Sequence, residues 1–117
     1  MYDGMGKLKL YVDSSCLNEL PRAYNGNYVF STSVVTGNSD INYNRNIYVK
    51  NIGTHTAYNI TFSKLSGDKG VSFQTPKAEL LPGKHMICKM AIMFKKGEKF
   101  SGSFQIKMNY DNLPWIR

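Results

Sequence analysis

The chain is short of the residues that build catalytic and metal centres. It has 2 Cys and 2 His in 117 residues, and its 8 Asp+Glu are outnumbered by 15 Lys+Arg, a net charge of +7. Cys88 keeps register with Met86, Met90, Ile92 and Phe94 on the apolar side of an alternating run, while Cys16 falls in a polar stretch. Free thiols are expected over a bridge between them, with Cys88 acting as a small core hydrophobe. His55 and His85 have no Cys, Asp or Glu at metal-ligand spacing, which argues against a zinc site. Cys16, beside Ser14 and Ser15, has no local base to activate it and reads as an ordinary loop thiol. The carboxylates are dispersed, mostly in turns where such side chains bond the backbone. Gly4 and Gly6 precede a strand, whereas a phosphate loop follows one and opens a helix. No cofactor, metal or enzymatic activity is expected.

Long apolar runs are also missing, and with them any membrane helix, which needs about 20 such residues. The first residues, Met-Tyr-Asp-Gly-Met-Gly-Lys, show no basic segment followed by an apolar one, so folding in the cytoplasm is expected. The length suits one domain, residues 1–117, able to bury roughly 65% of its unfolded surface without disulfide or metal support.

What the chain does have is alternation. Residues 7–12 place Leu8, Leu10 and Val12 on one side and predict a first strand. Residues 13–27 break the pattern with Asp-Ser-Ser, Leu-Pro and Asn-Gly-Asn, a long loop for a small domain. Tyr28-Val-Phe-Ser-Thr-Ser-Val-Val is a second strand, and residues 36–44 read as a second polar loop. Ile47 and Val49, then Tyr58, Ile60 and Phe62, form two runs around the polar reversal at 51–56, a hairpin-like pattern. A short strand at 71–74 follows. The run at 85–95 puts Ile87, Ala91 and Met93 on its second face, which predicts cover on both sides. Lys96-Gly-Glu-Lys reads as a hairpin tip before a last strand at 100–110. About seven strands and no helix describe an all-β, antiparallel two-sheet sandwich with body 28–110 and a tail at 111–117.

The stretch Asn46-Ile-Tyr-Val-Lys-Asn-Ile-Gly, then Ala57-Tyr-Asn-Ile, then Leu81-Pro-Gly before a long strand, resembles the immunoglobulin-like adhesion and decoration domains of the CARDB and ASPM/SPD-2/Hydin type. The resemblance covers roughly residues 45–110 and implies an immunoglobulin-like sandwich. In it a strand ends in Asn-x-Gly, a small Ala opens the next, and the Leu-Pro-Gly bend leads from one sheet toward the other. Physically, Asn51 can satisfy local backbone donors, Gly53 allows positive φ, and Ala57 leaves room where the sheets close.

Domains of that kind usually bind surfaces outside cells, and a protein made in the cytoplasm reaches the outside when built into a virus particle. The sequence therefore points to a structural protein of a tailed-bacteriophage virion, a capsid decoration or tail protein, with the major capsid or tail protein as partner. Homo-oligomers through edge strands are left open, and no membrane partner is implied. The candidate contacts are Leu17, Leu20 and Tyr24 in the long loop, with a flap over the core as the competing reading of that loop. Lys95, Lys96 and Lys99 form the one basic cluster, and Leu113, Trp115 and Arg117 lie in the tail. The alternatives are a basic nucleic-acid-associated protein using those three lysines, or a bacterial surface adhesion module. Lys7, Lys9, Lys50, Lys64, Lys89 and Lys107 come one at a time and read as solvated strand faces.

Overall fold

A computed structural model describes residues 5–65 and 70–111. Seven strands are present among them: β1 (Leu8–Tyr11), β2 (Tyr28–Val35), β3 (Ile41–Asn51), β4 (Tyr58–Lys64), β5 (Val71–Gln74), β6 (His85–Phe94) and β7 (Lys99–Asp111). They form two antiparallel sheets, one in the order β1-β3-β6-β5 and the other β2-β7-β4. The inner faces meet in one core that includes Leu10, Ile47, Val49, Cys88, Met90, Ile92, Phe94, Phe104 and Ile106. Aromatic side chains bridge the layers, with Phe94 against Phe100 at 5.5 Å and Phe62 against Phe73 at 5.9 Å.

Constant-type immunoglobulin domains have strands A, B, E and D in one sheet and C, F and G in the other. Here β1, β3, β6 and β5 take the A-B-E-D places, while β4 and β7 take those of C and F. The place beside F, filled by the final strand in that arrangement, is occupied by β2, which enters between the first and third strands. The result is an immunoglobulin-like sandwich whose G position is supplied from early in the chain.

Two connections expected to be hairpins are arches. β3 and β4 lie in different sheets, and so do β6 and β7; alternation marks which side chains face inward but says nothing of which sheet a strand joins. β3 also begins earlier than expected, because Ile41 and Tyr43 pair with Phe94 and Ile92 and Tyr43 packs against the core. Val12 is 46% exposed instead of inward, since the chain has already turned to bond its N–H to the Asn18 carbonyl at 2.9 Å. The second face of β6 has no cover from the described chain: Ile87 and Met93 are exposed.

Asn51, fully buried at 0% exposure, joins three segments. Its Oδ1 accepts from the N–H of Lys7 (3.2 Å) and of Gly53 (2.9 Å), and its Nδ2 donates to the carbonyls of His55 and Leu80, both at 2.8 Å. Leu80 also exchanges backbone bonds with Ala57, tying the chain between β5 and β6 to the start of β4. The Leu81-Pro-Gly bend then returns the chain to β6, with Gly83 at φ +77°. Gly53 does not take positive φ. It is required because a Cβ there would sit 2.1 Å from the Met5 carbonyl, which runs alongside. Ala57 is small for a related reason: Gly6 packs on it so closely that a Cβ on Gly6 would lie 3.1 Å from the Ala57 Cα.

Replacing Asn51 by Ala strands buried donors and carbonyls that water cannot reach, at about 1–3 kcal/mol each. Asn51→Ala is therefore expected to lose about 3 kcal/mol or more in urea unfolding, against less than about 0.5 kcal/mol for exposed Asn46→Ala. Equal stabilities of the two variants would contradict this account.

Candidate functional site

Three surfaces hold the polar and apolar groups that the core does not use. The first is the strap made by residues 13–27. Asp13 folds its start, accepting from Ser15 Oγ, from the Leu17 N–H at 3.3 Å and from the Asn18 N–H at 3.0 Å. These bonds, that of Ser15 foremost, hold the Asp13 carboxyl below its ordinary pKa. Glu19 then bridges to Tyr11 and the Leu20 N–H bonds to the Leu10 carbonyl, so the strap adds to the outer edge of β1. A few residues on, the Pro21 carbonyl accepts from Val29 and Arg22 bridges to Tyr28, so the same segment adds to the edge of β2. One continuous segment thus links the two sheets along one open side.

Its middle is a compact polar knot. Glu19 accepts from Arg22 Nε (3.0 Å) and Nη2 (2.7 Å) and from the Tyr28 hydroxyl (2.6 Å), with Lys9 Nζ at 3.7 Å. The Arg22 guanidinium lies 4.4 Å above the Tyr28 ring. Burial would raise the Glu19 pKa, but the bonds from Tyr28 and Arg22 and the nearby positive charges outweigh it and hold the carboxyl low. Burial, and then the bond to Glu19, push the Tyr28 phenol up.

The strap settles the fate of its apolar members one by one. Leu20 is 4% exposed and packs in the core, so it acts as a flap and is withdrawn from the contact surface. Leu17 and Tyr24 stand out at 79% and 104% exposure. Cys16 is buried, at φ 56°, and unpaired; Cys88 is also buried and unpaired.

The second surface is the β6–β7 arch with Lys95, Lys96 and Lys99, all exposed. Buried Thr36 holds it, its hydroxyl lying 2.7 Å from the Lys95 carbonyl and 3.0 Å from that of Glu98. The Lys96 N–H bonds to Asp40 and the Lys95 N–H to Glu98, both at 2.8 Å. Two carboxylates therefore sit among the three lysines and offset most of their charge. Arch and strap adjoin opposite ends of β2, so the two predicted clusters are not brought together. Leu113, Trp115 and Arg117 lie outside the described residues.

The third surface was not foreseen. On the four-stranded sheet, Leu8, Leu10, Ile47, Val49, Met86, Cys88, Met90 and Ile92 face the core, so their alternate neighbours face out. The strand registers align these in rows: Lys9, Lys50 and His85; then Tyr11, Tyr48 and Ile87; then Asn46, Lys89 and Gln74. The outward positions of these four strands carry lysines and no carboxylate; Glu19 stands at the flank, engaged by Arg22 and Tyr28 and paired with Lys9 at 3.7 Å. A hollow of about 220 Å³ lined by Gln74, Thr75, Pro76, Ile87 and Lys89 opens beside the apolar row. The other sheet is unlike it. Its outer side shows Ser31, Ser33, Ser101 and Ser103, with Ser33 bonded to Ser101 at 2.9 Å. Lys9, Lys50, Lys89 and Lys107 do lie on outward strand positions, as their spacing suggests, whereas Lys7 precedes β1 and Lys64 pairs with buried Ile106 on the inward side of β4; that Lys9, Lys50 and Lys89 share one face follows only from the order β1-β3-β6.

Among the described residues, no three His, Cys, Asp or Glu side chains gather as a metal site would need, and no helix is long and apolar enough to cross a membrane. Comparison with family models, with curated proteins and with solved structures finds no match.

Burial pushes the Cys88 thiol from its ordinary 9.0 up to about 12. The unfolded thiol ionises first, so the unfolded state holds fewer protons between these values and stability falls as pH rises through them. The contribution of one such group is up to about 1.4 kcal/mol per pH unit. Urea unfolding of the native chain and of Cys88→Ala between pH 8 and pH 11 is expected to give a shallower pH dependence for the variant; identical slopes would refute the assignment.

Proposed function

We propose that this protein is a non-catalytic structural component of a tailed-bacteriophage virion, a capsid decoration or tail protein that binds an assembled protein surface. The observation that carries the reading is the display of Leu17 and Tyr24, at 79% and 104% exposure, on a strap tied to both sheets. Large side chains carried on a backbone already tied down leave only their rotamers to be ordered on docking, which lowers the cost of binding, and Tyr is among the residues enriched at binding hot spots. The immunoglobulin-like sandwich supports the same reading, since the domains the sequence resembles are surface binders. The net charge of +7 would complement an acidic capsid or tail surface and speed encounter with it. Lys95, Lys96 and Lys99 would contribute at the rim of such a contact, and Leu113, Trp115 and Arg117 are carried forward from the sequence as further contacts.

The test is whether the chain co-purifies with intact particles on a density gradient, and in what number. Stoichiometric presence is expected, hundreds of copies marking decoration and about a dozen a tail or neck. Because both side chains are exposed, Leu17→Ala with Tyr24→Ala should leave the unfolding midpoint unchanged while lowering particle occupancy at least about tenfold. Absence of the native chain from particles would refute the proposal.

A further inference from the structure

We propose that the outer face of the four-stranded sheet binds single-stranded nucleic acid, with bases on the row Tyr11, Tyr48 and Ile87 and phosphates on Lys9, Lys50 and Lys89. Proteins that take single strands without sequence preference combine aromatic side chains on which bases stack with basic groups that follow the backbone. Sheet faces do this well because a flat array holds rings and charges at fixed spacing. Here the register supplies the pattern. Tyr11 lies directly opposite Tyr48, and Tyr48 opposite Ile87, so the apolar row runs across three strands. Lys9 and Lys50 lie opposite each other one row away, and Lys89 lies one row away on the other side. A strand laid along the apolar row would therefore have positive charge on both flanks, with Lys9 exchanging its 3.7 Å pairing with Glu19 for a phosphate.

Three further observations favour this occupant over an acidic protein. The row is aromatic where bases would stack, and Tyr11 and Tyr48 are only half-buried, leaving ring surface available. Asn42, Asn44 and Asn46 lie in line along β3, with the Asn44 Nδ2 donating to the Asn42 carbonyl at 3.2 Å, and amides of this kind can donate to and accept from base edges. The hollow against Ile87 and Lys89 gives a base room beside the row. The β6–β7 arch, where the sequence alone would place nucleic acid, lacks aromatic residues among its lysines and holds Asp40 and Glu98. This inference is separate from particle association: a chain that failed to join particles would still bind the strand.

The test is fluorescence anisotropy of the full chain with a labelled oligothymidine of about 12 nucleotides. Three phosphate contacts at roughly 0.7 each predict a log–log salt slope near −2, so raising salt from about 50 to about 200 mM should weaken binding about twentyfold. Tyr11→Ala and Tyr48→Ala should each lower affinity about tenfold, with Tyr48→Phe close to native. Lys50→Glu with Lys89→Glu should abolish binding, while alanine at Lys95, Lys96 and Lys99 together should leave it nearly unchanged. Circular dichroism confirms that each variant is folded. No binding by the native chain would overturn the proposal. So would loss confined to the arch variant, or binding indifferent to the tyrosines and matched by heparin, which would mark a general polyanion patch. Affinity for an acidic polypeptide in place of the oligonucleotide would assign the face to a protein.

Discussion

The rest of the structure depends on one amide. Asn51 ends β3, and its side chain satisfies groups of the segment before β1, of the arch toward β4 and of the chain returning to β6. Each of those segments must leave a sheet at that place, and each leaves behind backbone groups that no strand partner can meet. A buried side chain with two donors and two acceptor sites closes all of them at once. The small residues follow from it: Gly53 and Ala57 stay small because Asn51 draws the chain around residues 5–7 against them.

The open sides of the sandwich are closed by different means. Along one, strap residues pair with the edges of both β1 and β2, leaving fewer unpaired backbone groups there to recruit another chain. Further along, where β1 has ended, Tyr43 and Arg45 of β3 reach across: the Tyr43 hydroxyl meets Thr32 at 2.9 Å, and the Arg45 guanidinium lies 5.4 Å from the Phe30 ring. On the far side, Phe62 stacks on Phe73 and Leu80 bridges to Ala57. The outer faces are left as the broad surfaces on which a partner could lie, one basic with tyrosines and one with a patch of serine hydroxyls.

Much of this was legible in the sequence. Alternation identified all seven strands and the buried set Met86, Cys88, Met90, Ile92 and Phe94, because a period of two is imposed by any half-buried strand. Asn51 and Ala57 were readable as special through the resemblance, in which a strand ends in Asn-x-Gly and a small Ala opens the next. Sheet membership was not readable, since β3 to β4 and β6 to β7 look like hairpins whether the chain turns back beside itself or crosses the core. A flap and a contact surface were both readable for residues 13–27; that Leu20 turns into the core while Leu17 and Tyr24 stand out was not, since it depends on a bond to Leu10 that spacing does not encode. The basic face was invisible for a related reason. Lys9, Lys50 and Lys89 belong to three strands, and only the pairing of β1 with β3 and β3 with β6 makes them neighbours.

The placement of β2 bears on how the chain reaches this state. β2 has one strand neighbour, β7, whose residues come last among the seven strands. During synthesis β2 leaves the ribosome early and must wait for almost the whole domain before its ladder can form. Pairing over so long a separation is slow, because the loop-closure entropy is lost before the ladder returns anything. In that interval Tyr28, Phe30 and Val34 have no sheet to enter, and the nascent chain offers an aromatic, β-branched strand to chaperones or to its own neighbours. In the ordinary immunoglobulin order the place beside F is filled by the strand made directly after it; here it is filled by one made five strands earlier.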